Sequence, residues 1–141
     1  GMRVYDNIHL ACGDGGVILV HRGDRERVIS QNLRDRREHT GLDVIDWIVQ
    51  AVALGAGEIL LTAVDQEGTR KGLDIELLRA VNARVNVPVI ISGGFGDVAD
   101  LQRASAAGAS GVAIADALHW GRMTVSDIKQ HAQAQGVEVR L

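Results

Sequence analysis

Little in this chain speaks of cross-links, membranes or nucleic acid. It holds one cysteine, Cys12, in 141 residues, so no disulfide can form within it and a reducing compartment is expected. One proline, Pro88, stands against 17 glycines, so glycine must make most of the turns and helix ends. Aromatic residues are 3% of the chain, which leaves the core to Val, Ile, Leu and Ala. No apolar run reaches the roughly 18 residues of a membrane helix, and no signal-peptide pattern opens the sequence. A cytoplasmic protein without membrane contact is the expectation. Net charge is −3, and the basic residues are dispersed apart from Arg34, Arg36 and Arg37, which argues against a nucleic-acid surface. His9, His39, His119 and His131 lack metal-ligand spacing, so neither a metal nor a cofactor is expected. Cys12 reads as a small core thiol, and Trp47 and Trp120 as packing residues.

What is present is an aliphatic α/β pattern. Apolar residues make up 46%, enough for one domain with a core over residues 1–141. Gly16 to Val20 reads as a strand. Asp43 to Leu54 places Ile45, Ile48, Val49 and Val52 on one helical face, and Gly55 ends that helix. Ile59 to Val64 is a second strand, and Asp74 caps a helix running to about Ala83. A third strand starts at Pro88 and runs to Ile91. Asp97 and Asp100 resemble a cap pair for a helix ending at Gly108, before a strand from Gly111 to Ala115. Thr124-Val-Ser-Asp127 opens a last helix in the manner of a capping box, and Gly136 stops it. Leu54-Gly-Ala-Gly-Glu-Ile-Leu-Leu-Thr62 and Ala107-Gly-Ala-Ser-Gly-Val-Ala-Ile-Ala115 repeat one plan of helix end, Gly-Ala turn and strand.

The order is therefore (βα)4, which predicts a parallel sheet. A closed barrel of this kind needs eight strands. Four strands alone would leave two open edges and a bare apolar face, and open edges invite another chain. Two copies related by a twofold axis would close the cylinder. Three junctions mark the ligand face at the carboxyl ends of the strands: Thr62 to Gly72, Ser92-Gly-Gly94, and Ala115-Asp116. A Ser-Gly-Gly turn can offer backbone N–H groups to a phosphate, or it can be a plain tight turn. Asp65 and Glu67 are acids facing a site, or else a solvated loop tip.

Thr40-Gly-Leu-Asp43, Gly55-Ala-Gly-Glu-Ile-Leu-Leu-Thr62, Asp65-Gln-Glu-Gly-Thr69, Pro88-Val-Ile-Ile-Ser-Gly-Gly94 and Gly136-Val-Glu-Val-Arg140 together resemble the cyclase subunit of imidazole glycerol phosphate synthase, over about residues 40–141. That stretch is similar to the carboxyl-terminal half of the family's (βα)8 barrel, while residues 1–39 match poorly. The resemblance implies roles residue by residue. Thr62 matches a site threonine. Glu67 stands where the family has a substrate-contacting aspartate, with Asp65 before it and Gly68 after it. Ser92, Gly93 and Gly94 match a phosphate-binding turn. Ala115 matches the first of two further phosphate-binding residues, and Asp116 replaces the serine that is usually the second. A carboxylate there would repel a phosphate by roughly 2–4 kcal/mol.

Counting back without gaps puts Val17–Val20 on the family's fifth strand and His21 where a catalytic aspartate belongs. A histidine titrates near neutrality and can do acid–base work. The other catalytic aspartate lies on a first strand that this reading does not find in the chain. The resemblance implies a lyase that binds a phosphorylated, ribose-bearing ligand and closes an imidazole ring with ammonia from a glutaminase subunit. The alternative is a noncatalytic, truncated half-barrel with a structural, phosphate-binding or assembly role.

Overall fold

The computed structural model describes residues 3–6, 16–21, 27–29, 43–63 and 66–140. The elements run β1 (Arg3–Asp6), β2 (Gly16–His21), β3 (Arg27–Ile29), α1 (Val44–Ala53), β4 (Ile59–Thr62), α2 (Ile75–Asn82), β5 (Val89–Ser92), α3 (Ala99–Ala106), β6 (Gly111–Ile114), α4 (Asp116–His119) and α5 (Val125–Ala134). Among the described residues the strands form one sheet in the order β1-β6-β5-β4-β2-β3.

From residue 43 onward the chain follows local rules. The Asp43 carboxylate accepts the N–H groups of Ile45 and Asp46, each at 3.0 Å, and so starts α1. Asp74 does the same for α2 through Leu77 at 3.0 Å. The Thr124–Asp127 capping box opens α5. Three helices then end alike. The N–H of Ala56 reaches the carbonyl of Ala51, that of Ala109 reaches Ala104, and that of Val137 reaches Ala132, at 2.9–3.0 Å. Gly55, Gly108 and Gly136 supply the positive φ values, 101°, 87° and 78°, that this closure requires. The repeat seen in the sequence is this helix ending, used three times, each time with a small apolar pair locking it. The acids at α3 work slightly off the expected plan. Asp100 reaches back to accept the N–H of Gly96 at 2.7 Å and of Asp97 at 3.2 Å. The Asp97 side chain accepts from Ala99 at 2.8 Å.

β4, β5 and β6 are parallel neighbours in sequence order, as the right-handed βα plan requires. Ile59, Leu61, Val89, Ile91, Val112 and Ile114 join the helices in the main core. Leu60, Ile90 and Ala113, which alternate with them and face the other way, are buried as well, at 3–5% exposure. The bare apolar face expected of an isolated half-barrel is therefore absent at these positions.

The amino-terminal strands depart from the (βα)4 expectation. β2 pairs with β4 antiparallel, Gly16 opposite Thr62 and Leu19 opposite Ile59. It is not a fifth barrel strand laid parallel to the rest. β3 folds back on β2 as an antiparallel partner. The fourth parallel strand is instead β1, which lies along β6 with Asp6 opposite Ile114. Pairing partner, not position along the chain, sets strand direction here. The ungapped count could not detect this.

Candidate functional site

Parallel strands bring their carboxyl ends to one face, and most of the predicted residues lie there. Thr62, Ser92 and Ala113 share one register across β4, β5 and β6, so their side chains lie on the same side of the sheet. Thr62 and Ser92 are both buried. Beyond Ser92 the backbone turns sharply through Gly93 and Gly94, at φ values of 93° and 91°. Both glycines are required by crowding as well as by φ. A Cβ on Gly93 would stand 2.6 Å from the Ala63 carbonyl oxygen, and one on Gly94 would run into the Gly72 carbonyl. The Gly94 carbonyl in turn accepts the Gly72 N–H at 2.8 Å. The turn after β5 is thus clamped to the loop after β4. Among the described residues, no backbone carbonyl takes the N–H of Gly93 or Gly94.

The β4–α2 loop is built to reach this turn. The N–H groups of Gln66 and Glu67 both bond the Ala63 carbonyl, at 3.0 and 3.1 Å. Thr69 donates its hydroxyl to the Gln66 carbonyl at 2.8 Å. Gly68, at φ 72°, has nothing near its missing Cβ, so its role is to turn the chain. The result brings Glu67 and Gly68 beside Ser92, Gly93, Gly94, Ala115 and Asp116 around a crevice of about 10 Å³. That is room for about one water, less than a phosphate needs. The crevice shares Glu67, Gly68, Ala115 and Asp116 with a larger cleft of about 580 Å³ that continues past His119, Trp120 and Met123. Such a volume is ordinary for a small-molecule site.

Asp116 is not the bare charge the sequence suggested. Its Oδ2 lies 2.8 Å from Nη1 of Arg122 and 3.5 Å from Nε of Arg70. Two guanidinium groups offset one carboxylate, so the expected repulsion of an anion is countered locally. A buried acid, Asp100, pairs with Arg103 and holds that guanidinium's pKa above its ordinary value, by hydrogen bond first and by charge second. Asp100 also binds the Gly96 and Asp97 N–H groups, so it anchors the far end of the glycine turn.

His21 does not join this face. β2 runs antiparallel to β4, and Leu19 already pairs with Ile59 at the start of that strand. His21 therefore lies beyond the amino end of β4, at the opposite edge from Thr62. Asp65 lies outside the described residues. Reading the sequence alone missed β1, whose last residue, Asp6, pairs with Ile114 at the carboxyl end of β6. The signal was present in Val4-Tyr5, a short β-forming pair before a polar residue. It also missed α4 and the two arginines on Asp116.

The family model described as histidine biosynthesis protein matches residues 18–124. Imidazole glycerol phosphate synthase subunit HisF of Thermobifida fusca (strain YX) is 49% identical over 104 residues, covering 74% of this chain and 41% of that protein. The subunit of the same name from Leifsonia xyli subsp. xyli (strain CTCB07) is 46% identical over 104 residues, covering 74% of this chain and 41% of its own length. That from Dehalococcoides mccartyi (strain ATCC BAA-2266 / KCTC 15142 / 195) is 45% identical over 106 residues, with 74% and 42% covered. The chain thus spans about two fifths of the length of these relatives.

Proposed function

Because the chain belongs to the histidine biosynthesis protein family, we propose that it binds a phosphorylated, ribose-bearing ligand at the carboxyl ends of its parallel strands and contributes to cyclase chemistry there. The observation that carries this reading is the meeting of Glu67, Gly68, Ser92, Gly93, Gly94, Ala115 and Asp116 around one crevice that opens into a cleft. The Gly93 and Gly94 N–H groups would take phosphate oxygens, with Ser92 and Thr62 in the row beneath. Glu67, at the rim, would move protons as the imidazole ring closes on ammonia supplied by a glutaminase subunit. Asp6, by its place at the end of β1, is the acid we put forward in place of His21.

A second reading is a noncatalytic anion-binding half-barrel. It is supported by the position of His21 on β2, beyond the amino end of β4. Closure by a second copy belongs to the proposal too. β1 and β3 are the edges of the described sheet, and another copy would add there. The burial of Leu60, Ile90 and Ala113 leaves those edges, not a bare face, as the reason to associate. Light scattering giving a stable 15.1 kDa particle at micromolar concentration would remove the dimer.

The deciding assay supplies the ribulosyl carboxamide nucleotide with ammonium salt, so that no glutaminase is needed, and follows imidazole glycerol phosphate. Turnover that falls about 10²–10⁴-fold in Asp6→Asn and in Glu67→Gln would support the cyclase reading. Absent turnover with intact phosphate binding would support the noncatalytic one.

A further inference from the structure

We propose that Asp100 is the positioning residue of the glycine turn: its buried carboxylate holds the stretch from Gly93 to Gly96 in one conformation against the β4–α2 loop, and so sets the affinity for phosphate at Gly93 and Gly94. This rests on the phosphate reading above. Asp100 is 2% exposed. A carboxylate placed so deeply costs stability unless hydrogen bonds and an opposite charge meet it. Starting α3 does not call for it, because the exposed Asp97 already accepts the Ala99 N–H at 2.8 Å. The bonds of Asp100 go instead to the turn. Its Oδ2 accepts the N–H groups of Gly96 and Asp97 at 2.7 and 3.2 Å. Its Oδ1 accepts from the Arg103 guanidinium.

The same Oδ1 lies against the other loop. A Cβ on Gly72 would stand 3.4 Å from it, and Gly72 donates its own N–H to the Gly94 carbonyl at 2.8 Å. A Cβ on Gly96 would run into the Arg70 carbonyl. The carboxylate therefore sits where the two loops meet, and both loops have glycine at the closest points. Gly93 and Gly94, at φ values of 93° and 91°, are the residue type with the widest choice of backbone conformation. Their own chemistry does little to fix the direction of their N–H groups. That direction is set from the two ends: by Ser92 in β5 before them, and by Gly96 on the Asp100 carboxylate after them. The β4–α2 loop clamped by this arrangement also supplies Glu67 and Gly68 to the crevice. Asp100 thus orders both walls while touching no ligand.

The test titrates inorganic phosphate into isotope-labelled protein well below the Tm of each variant. The amide signals of Gly93 and Gly94 give the affinity, and that of Gly72 reports the clamp. Asp100→Ala should weaken phosphate binding about 10-fold and should shift the Gly72 amide before any phosphate is added. Arg103→Met leaves the carboxylate on Gly96 and Asp97, so it should lower Tm but keep the affinity within about twofold. In Asp100→Asn the new carboxamide faces donors on both sides, the two turn N–H groups and Arg103, and its single oxygen cannot serve both. Affinity should fall there, and adding Arg103→Met should restore part of it by releasing that oxygen to the turn. A residue that only stabilised the fold would lower Tm in these variants and leave the affinity of the folded protein constant. If Asp100→Ala, or Asp100→Asn should the first not fold, binds phosphate as the wild type does, the inference falls and the phosphate reading stands. If Gly93 and Gly94 do not respond to phosphate in the wild type, both fall.

Discussion

Residues 43–140 and the three strands before them are held in the same sheet by different means. In the later region each element carries its own instructions. Asp43, Asp74 and Thr124 start helices through side-chain caps, and Gly55, Gly108 and Gly136 end them in one repeated hydrogen-bond pattern. β4, β5 and β6 are buried along their whole length. The earlier strands are placed by partners far along the chain. β1 depends on β6, and β2 depends on β4. Local grammar therefore fixes elements, while strand direction at the edges is a tertiary choice.

The largest expected effect tests whether the later region is the stability core. Leu61 is 0% exposed at the centre of β4, between β2 and β5. Leu61→Ala should cost about 3–5 kcal/mol, because a cavity is left where the helices press on the sheet. Denaturant unfolding measures it. A loss below ~1 kcal/mol would mean that this core is not what holds the domain.

This contrast also explains how much of the protein was legible beforehand. The α1 cap, the repeated Gly-Ala turn and the Thr124–Asp127 box follow from residues close in sequence, and each could be read; the meeting of Glu67 with Ser92, Gly93 and Gly94 follows from parallel strands that end on one face. His21 could not be placed, because whether Gly16–His21 lies parallel or antiparallel to Ile59–Thr62 is decided by a pairing 40 to 46 residues away. The environment of Asp116 was hidden for a similar reason. Its partners, Arg70 and Arg122, lie 46 residues before it and six after it, and charge alone does not say which residues will meet. The sequence offers the glycines of the turn as phosphate-facing or as a plain tight turn. They are equally needed because the β4–α2 loop backbone leaves no room for a Cβ.

A middle-sized effect asks whether the amino-terminal strands can be detached. Leu19 pairs with both Ile29 and Ile59, so its N–H points into one of the two ladders. Leu19→Pro removes that donor and a ladder bond. The direct loss is about 1 kcal/mol per bond, and the pairing of β2 should fail around it. Amide exchange should quicken in Ile59–Thr62, on the flank that β2 covers, while β5 and β6 keep their protection. Global unfolding would show instead that the two regions form one cooperative unit.

The smallest effect isolates one piece of the local grammar by its proton. The Asp127 carboxyl accepts the Thr124 hydroxyl and, at 3.1 Å, the Thr124 N–H. These bonds, the side-chain one first, hold its pKa below the ordinary value, because they favour the charged form. A carboxyl that binds protons less readily when folded stabilises the fold above its unfolded pKa, near ~4. That contribution is lost as pH falls through the lower folded value. Thr124→Ala should therefore move the Asp127 pKa up toward the ordinary carboxyl range, read by carbon-detected NMR titration. The Tm gap between wild type and Asp127→Asn should be open above about pH 4 and should narrow as pH falls below it. The group is solvent-exposed, so the gap should also shrink in high salt.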